Sequence, residues 1–492
     1  MRILLVYPET PATFWSFKDA LRFVSKKSSE PPLGLLTVAA MLPRKWQLRL
    51  VDMNVSPLRD EDILWADYLF LSGMSIQLNS MKTVVQRAHA LQRPVIGGGP
   101  LLTTEPDAIP EIDCLVLNEA ENTLPEMLSD LQNGKLKKVY RCAEYPDISH
   151  TPAPRWDLLE MDKYASMSVQ YSRGCPFNCE FCCITELNGH KPRVKRRAQF
   201  IWELESLYRL GWRGSVFIVD DNFIGNRRAL KEELLPALKE WSRLKNYPFS
   251  FMTEASVNLA DDEELMDMMV AAGFDAAFLG IETPNPESLQ ECGKTQNKSR
   301  DLMQAVKKLQ QRGIMVSGGF IVGFDHDPPN IFEQMIQFIQ QSGVVTAMVG
   351  LLNAPTGTKL FERLRRENRL ISRMTGDNTD GSTNIIPKMD LNELKAGYRR
   401  VIETIYSPGE YYQRVKTLLN NYSLPPRPKV GLKREDILAF FRSIWVLGIR
   451  EPGKRYYWKL LGYSLFRHPR KFALAVRLAI YGFHFRRVAQ RI

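Results

Sequence analysis

The stretch Tyr171-Ser-Arg-Gly-Cys175-Pro-Phe-Asn-Cys179-Glu-Phe-Cys182-Cys183 carries four of the chain's seven cysteines. Cys175, Cys179 and Cys182 stand at C-x3-C-x2-C, with Phe181 just before the third. Such a short loop gathers three thiolates, and thiolates hold iron–sulfur clusters, usually in fours. Three thiolates on a four-iron cluster leave one iron open, and an open coordination position is where a metal does chemistry. Two other uses of these thiols are a zinc site, with Cys183 or His190 as fourth ligand, and a packed run of inert thiols. Structural zinc usually draws on two separated pairs of the C-x2-C type, and no second pair follows here.

The elements around this loop read as strand, loop and helix in alternation. After a strand at Ala165–Tyr171, apolar runs recur at Ser215–Val219, Pro248–Thr253, Ala276–Ile281, Val316–Val322 and Ala347–Leu352. Helical patterns separate them, among them Gln199–Leu210, Asp262–Ala272 and Ser299–Arg312. Six such units joined by right-handed crossovers wind into a parallel barrel or partial barrel, whose active site lies at the strand C-terminal ends. Polar residues recur there: Asp220, Asp221 and Asn222 after one strand, Glu254 after the next, then Glu282, with Gly319 and Gly323 on the strand beyond. One acid at a strand end is ordinarily a cap or a solvated loop residue. Acids after three strands, in register with a thiolate loop, point to a site.

A second unit precedes the core. Arg2–Tyr7, Gln47–Val51, Tyr68–Ser72, Pro94–Gly97 and Cys114–Leu117 read as short buried strands, with helices at Leu33–Leu42, Asn79–Leu91 and Asn122–Leu131. That pattern predicts an open parallel sheet, flavodoxin- or Rossmann-like, covered on both faces. Ligands of such sheets bind beyond the strand C-terminal ends. Asp52 and Asn54, Ser72, and Gly97, Gly98 and Gly99 fall there, where glycine lets a backbone approach a bulky ligand.

The cluster loop with its aromatic resembles that of the radical S-adenosylmethionine (radical SAM) family. The resemblance implies that Cys175, Cys179 and Cys182 hold a 4Fe-4S cluster whose open iron chelates S-adenosylmethionine (SAM), which is then split to a 5′-deoxyadenosyl radical. It further implies SAM contacts by Asp220, Asp221, Asn222, Glu254 and Glu282, and adenine lying along the strand that holds Gly319 and Gly323. The first unit resembles the cobalamin-binding domain of one large subfamily, with Asp52, Asn54, Ser72, Gly97, Gly98 and Gly99 as cobalamin-binding positions. Asn54 stands where the familiar D-x-H-x-x-G motif has histidine, so no protein histidine is expected below the cobalt. Cys183 is a further departure, since many relatives have Asp there.

The expected domains are 1–140, cobalamin-binding-like; 151–370, the radical SAM core; and 371–492, a helical region. Tyr406-Ser-Pro-Gly-Glu-Tyr-Tyr resembles the helical domain of a group that includes hopanoid C-2 methylases. A Pro-rich joint at Pro425, Pro426 and Pro428 leads to a tail rich in Lys, Arg and aromatics, with Arg455–Lys459 and Phe472–Phe485 suited to a membrane interface or to packing on the core.

At 492 residues the chain accommodates about three domains, and 44% hydrophobic with 25% charged residues describes a globular chain. The clustered cysteines do not read as a disulfide framework. The opening Met1-Arg-Ile-Leu-Leu-Val-Tyr-Pro reads as a strand and not a signal peptide, and no run of about 18 apolar residues predicts a membrane span. A cytoplasmic enzyme, peripheral to the membrane through 430–492, is expected. The net charge of +11 is concentrated at the C-terminal end, so nucleic acid is not the expected partner. The basic run Lys191–Arg197 reads as a solvated face or as a surface that steers an acidic flavodoxin- or ferredoxin-type electron donor.

The expected activity is methylation of an unactivated carbon on a small hydrophobic, hopanoid- or lipid-like substrate or a secondary metabolite. Such a carbon is neither acidic nor nucleophilic, so a cofactor must supply the hard step. A radical cyclase or rearrangement enzyme without methyl transfer, and a non-catalytic metal-binding module, are the alternatives.

Overall fold

The computed structural model describes residues 1–425 and 434–492; Pro426 and Pro428, and residues 430–433 of the tail, lie outside the described residues. The first unit is a six-stranded parallel sheet, β1 Arg2–Tyr7, β2 Gln47–Asp52, β3 Tyr68–Ser72, β4 Val95–Gly98, β5 Cys114–Leu117 and β6 Val139–Arg141, in the order 2-1-3-4-5-6. The order reverses between β1 and β3, which is where a sheet of this type opens a crevice at its C-terminal edge. Two apolar layers fill its faces, one around Met81, Val84 and Leu102, the other around Leu35, Ala39 and Met127.

The core is a second parallel sheet: β7 Ser166–Val169, β8 Gly214–Ile218, β9 Phe249–Ala255, β10 Phe274–Glu282, β11 Met315–Val322 and β12 Ala347–Leu351. Its strands neighbour one another in chain order, as right-handed crossovers on a half-barrel require. Helices such as Arg197–Arg209 and Leu302–Gln311 cover the outside through Phe200, Leu204, Val306 and Leu309.

Helices Leu391–Tyr406 and Pro408–Asn421 pack on the last barrel helices. Helix Phe472–Ala489 closes the assembly against both these helices and the N-terminal segment. Its Phe485 stacks on Tyr406 at 5.2 Å and meets Phe14 at 5.6 Å, and His484 is fully buried against Asp19 and the carbonyl of Thr13. The expectation that Phe472–Phe485 lies in a membrane interface therefore fails. Leu474, Ala475, Val476, Leu478, Ala479 and Ile480 are all buried, and a helix that is apolar around most of its girth belongs in a core.

Candidate active site

The cluster loop starts where β7 ends. A two-residue antiparallel ribbon, Ser172–Arg173 against Arg193–Val194, closes its base. Gly174 turns the chain into the loop at φ +95°; a Cβ there would sit 2.9 Å from the carbonyl oxygens of Asn188, Gly189 and Lys191. The Cys175 amide donates to the Gly189 carbonyl at 3.1 Å, and the Glu180 amide to the Cys292 carbonyl at 2.9 Å. Arg363 grips the Glu180 carboxylate at 2.6 and 3.1 Å, and Phe181 faces Phe324. Base and tip of the loop are thus both tied to the barrel.

Cys179 lies close enough to Cys175 and Cys182 to oppose ionisation of both, so the three thiols share one site. Burial pushes the Cys182 thiol up to about 12 and raises Cys175 and Cys183 as well. Half-buried thiols of this kind become thiolates when metal replaces their protons. Among the described residues, no three His, Cys, Asp or Glu side chains converge to hold a single metal ion. A cluster spreads its ligands over separate irons and needs no such convergence. Neighbouring donors face the sulfurs: Gln296 Nε2 lies 3.6 Å from Cys179 Sγ, and Asn222 Nδ2 lies 4.0 Å from Cys175 Sγ. The Gln296 carbonyl oxygen is buried without a protein partner.

Asp220 holds the loop from beneath. It is fully buried, and its carboxyl accepts the Tyr171 amide at 2.7 Å, the Ser172 amide at 2.8 Å and the Ser172 hydroxyl at 2.6 Å. Its carboxyl is thus taken up by the residues that lead into the loop, and Asp220 is not among the residues lining the cavity. Asp221 accepts the Gly174 amide at 2.7 Å and the Asn188 side-chain amide at 3.0 Å, and its side borders the central cavity. Asn222 accepts the Ser256 amide at 3.2 Å, which aligns the ends of β8 and β9.

Glu254, near the end of β9, lines the same cavity. Burial, with the neighbouring Asp221 and Glu30, pushes its carboxyl up to about 8. Glu30, which stands in no motif, also lines the cavity and is pushed by burial to about 7. Glu282 is instead locked in a buried ion pair with Lys294, at a left-handed φ of +65°. Burial opposes the Lys294 charge, but Glu282 and the neighbouring Cys179 outweigh it and hold its pKa above the ordinary lysine value. Gly319 packs under the Phe278 ring, and Gly323 adopts φ +105° where its amide meets Asp327 at 2.7 Å; neither is among the residues lining the cavity.

Across the cavity stands the C-terminal edge of the first sheet. Asn54 and Gly99 line it; Asp52, Ser72, Gly97 and Gly98 lie behind. Asp52 accepts the Asn54 amide at 2.9 Å, the Asn54 side-chain amide at 2.8 Å and the Tyr164 hydroxyl at 3.0 Å. Gly99 has φ +90°, and a Cβ there would strike the Ser72 hydroxyl. Gly97 and Gly98 are packed against Ile112 and the Val116 carbonyl. Asn118 also borders the cavity, with its side-chain oxygen buried and unpartnered, and is a donor-seeking group that sequence reasoning missed.

The two domains are bolted together beside the cluster loop. Arg173 reaches Glu119 at 2.6 Å and Glu121 at 3.0 Å, while Arg193 reaches Glu119 at 2.6 Å. Burial works against charge on Glu121, and Arg173 outweighs it and holds the carboxyl below its usual range. Lys195 pairs with the fully buried Glu203. The basic run Lys191–Arg197 is therefore not one solvated face: Arg193 and Lys195 are internal, and Lys191, Arg196 and Arg197 are exposed.

Both sheet edges thus face one cavity of about 2130 Å³, which continues along the barrel axis. Three domain descriptions match the chain in sequence: B12 binding domain over residues 22–128, Radical SAM superfamily over 169–339, and a domain of unknown function over 358–492. An uncharacterized methyltransferase of Synechocystis sp. is 42% identical over 99% of this chain and 91% of its own length. The hopanoid C-2 methylase of Rhodopseudomonas palustris is 34% identical, covering 93% of this chain and 88% of its own. The chain belongs to the cobalamin-binding radical SAM methyltransferase family.

The fold agrees. The cobalamin-dependent SAM radical enzyme OxsB, solved with aqua-cobalamin, superposes with TM-score 0.65 at 15% identity over 99% of this chain and 80% of its own. TsrM from Kitasatospora setae, a radical SAM methyltransferase solved with cobalamin and a [4Fe-4S] cluster, gives 0.60 at 14% identity, covering 97% and 99%. Membership in this radical SAM family brings its cofactors: the 4Fe-4S cluster, SAM and cobalamin.

Proposed function

We propose that the enzyme methylates an unactivated carbon of a hydrophobic, polycyclic lipid-like substrate. The observation that carries this reading is the single large cavity onto which the cluster loop's flank, the barrel carboxylates and the cobalamin-domain edge all open. Between the two edges its walls are apolar, with Trp15 packed on Phe278 at 4.7 Å and Phe217, Met252 and Met348 beyond. A flat hydrocarbon suits such walls. The kinship to a hopanoid C-2 methylase points to the same substrate class.

In this reading Cys175, Cys179 and Cys182 would hold the cluster. Asp221 and Glu254, with Glu30 behind, would receive the positive charges of SAM, and Asn222 would steady Cys175 and the ends of β8 and β9. Asn54, Gly99 and Asn118 would meet cobalamin, with no protein histidine beneath the cobalt. When bound, these cofactors supply the radical and the methyl group that acid–base residues cannot. The residues of the chain bind, orient and exclude water. The exposed Lys191, Arg196 and Arg197 would receive an acidic flavodoxin- or ferredoxin-type electron donor.

The test is anaerobic reconstitution, followed by SAM, cobalamin, a strong reductant and a hopanoid, with product analysis. 5′-Deoxyadenosine together with S-adenosylhomocysteine and a methylated lipid is the expected outcome. 5′-Deoxyadenosine without S-adenosylhomocysteine would replace the reading with a radical cyclisation or rearrangement.

A further inference from the structure

The helix Arg434–Ser443 continues without a break through a wider turn, Ile444–Arg450. Ile437, Leu438, Phe441, Trp445 and Ile449 follow one another at helical spacing along its outer side, and each is about half exposed or more. The next helix, Lys454–Arg467, lies against it, fastened by the Trp458 indole donating to the Gly448 carbonyl at 2.9 Å. It adds Trp458, Leu465 and Phe466, the last 85% exposed. A soluble surface rarely leaves so many large apolar side chains together.

Charge says what covers this face. Residues 434–492 carry thirteen Lys and Arg against three Asp and Glu, nearly the whole net charge of the chain. Arg450, Lys454, Arg455, Lys459 and Arg467 are exposed around the apolar patch, and Arg450 lies 5.0 Å over the Trp445 ring. A second copy would bring like charge against like. An anionic bilayer would meet apolar side chains with its acyl boundary and the cations with its headgroups, with tryptophan at the level between them. Among the described residues no helix is long and apolar enough to cross a membrane, so the contact is one of lying on the surface.

The same helix borders the far end of the cavity. Ile437, Phe440 and Phe441 line it beside Phe472 from the last helix, and Leu210, which is 43% exposed, marks where it reaches the surface. From there the lining passes Gly214 and Pro248 at the N-terminal ends of β8 and β9, then Ser250 and Met252, and arrives at Glu254 and Asp221. We infer that this face docks on an anionic bilayer and that an apolar substrate enters the barrel from it, through the N-terminal ends of the strands. Cobalamin-domain and lipid approaches are then at opposite ends of one passage. The entry route rests on the apolar-substrate reading above; the docking does not.

The experiment is co-sedimentation of the reconstituted full chain with phosphatidylcholine vesicles, with and without phosphatidylglycerol. The parent is expected to sediment with the anionic vesicles and to be released by high salt. The double variant Leu438→Asp and Trp445→Asp, at side chains that do not line the cavity, is expected to lose at least tenfold in vesicle affinity. It should keep its iron, its cobalamin and its SAM cleavage, which shows that it is folded. Failure of the parent to bind anionic vesicles, or equal binding by parent and variant, would overturn the docking. For entry, Ala473 is exposed and lines this end of the cavity beside Phe472; Ala473→Trp narrows the rim and is expected to raise KM severalfold for vesicle-borne substrate while SAM cleavage stays unchanged. An unaltered KM would overturn the route. Vesicle binding without methylation of any lipid would leave the docking standing and sink the substrate assignment instead.

Discussion

Removing the carboxyl of Asp220 should cost the enzyme its cluster without touching any cluster ligand. Asp220 lies just after β8 and accepts two backbone amides and one hydroxyl from the residues that lead into Cys175. Asp220→Ala strands the Tyr171 and Ser172 amides in a site that is fully buried. Each stranded donor costs about 1–3 kcal/mol. Two together come to about 4 kcal/mol, which is nearly a thousandfold in the local opening of the loop. Burial itself pushes the Asp220 carboxyl up to about 7, so the variant also sheds a strained charge and part of the loss is returned. Asp220→Asn keeps one acceptor and leaves one amide stranded, so it should fall between parent and alanine variant. The assay is iron per chain and the visible absorbance of the cluster after anaerobic reconstitution, followed over hours of dialysis. The alanine variant should lose iron fastest. Full and stable iron in Asp220→Ala, with SAM affinity alone reduced, would refute the bracing role and restore Asp220 as a direct SAM contact.

Cys175→Ala, Cys179→Ala and Cys182→Ala should each abolish iron retention and SAM cleavage, whereas Cys183→Ala should retain iron; loss of iron in Cys183→Ala would make Cys183 a ligand. SAM affinity should depend on pH. The raised carboxyls of Glu254 and Glu30, near 8 and 7, are protonated below those values, and only their ionised forms attract a cation. Affinity measured by calorimetry should therefore strengthen as pH rises from 6 to about 8 and then level off, and Glu254→Gln should flatten the profile. Arg173→Ala leaves Glu121 without its cation while Glu119 keeps Arg193, a loss of about 3–5 kcal/mol for a broken buried pair. Limited proteolysis between residues 128 and 169 should accelerate, and cobalamin should dissociate faster; unchanged rates would mean that the domains are held elsewhere.

The strands were legible because buried parallel strands read as short apolar runs, and β1 and β3 fall where those runs do. β6 was not: in Val139-Tyr-Arg only Tyr140 is buried, as befits an edge strand, and three residues leave no periodicity to read. The thiolate loop was legible because spacing is itself the chemistry. The acids at strand ends could be found, but not their duties. Asp220 and Asp221 are neighbours, and successive side chains of an extended chain point oppositely. One of them turns under the loop and the other toward the cavity, a difference invisible in Asp-Asp. Glu282 looked free because its partner Lys294 lies twelve residues on, beyond the strand and a helix. The tail's aromatics and cations fit either a membrane face or a core. Phe472–Ala489 is apolar almost all round and went inside, while the helix beginning at Arg434 keeps its apolar residues to one outer side.

The distribution of charge around the cavity bears on the ion pairs that join the two domains. Three carboxyls, Asp221, Glu254 and Glu30, are gathered where burial resists their ionisation, a cost the fold bears before any ligand arrives. In the proposed role at SAM, a cation brought among them would recover that cost. Glu30 belongs to the N-terminal segment and Glu254 to the barrel, and when both are ionised they repel across the boundary between the domains. The opposing force lies beside the cluster loop, where Arg173 and Arg193 of the core hold Glu119 and Glu121 of the first domain. The cations that bind the domains sit at the base of the loop that carries Cys175. Any shift of the first domain therefore reaches the thiols through two residues, and cobalamin binding on one side and cluster retention on the other should weaken together when that clamp is cut.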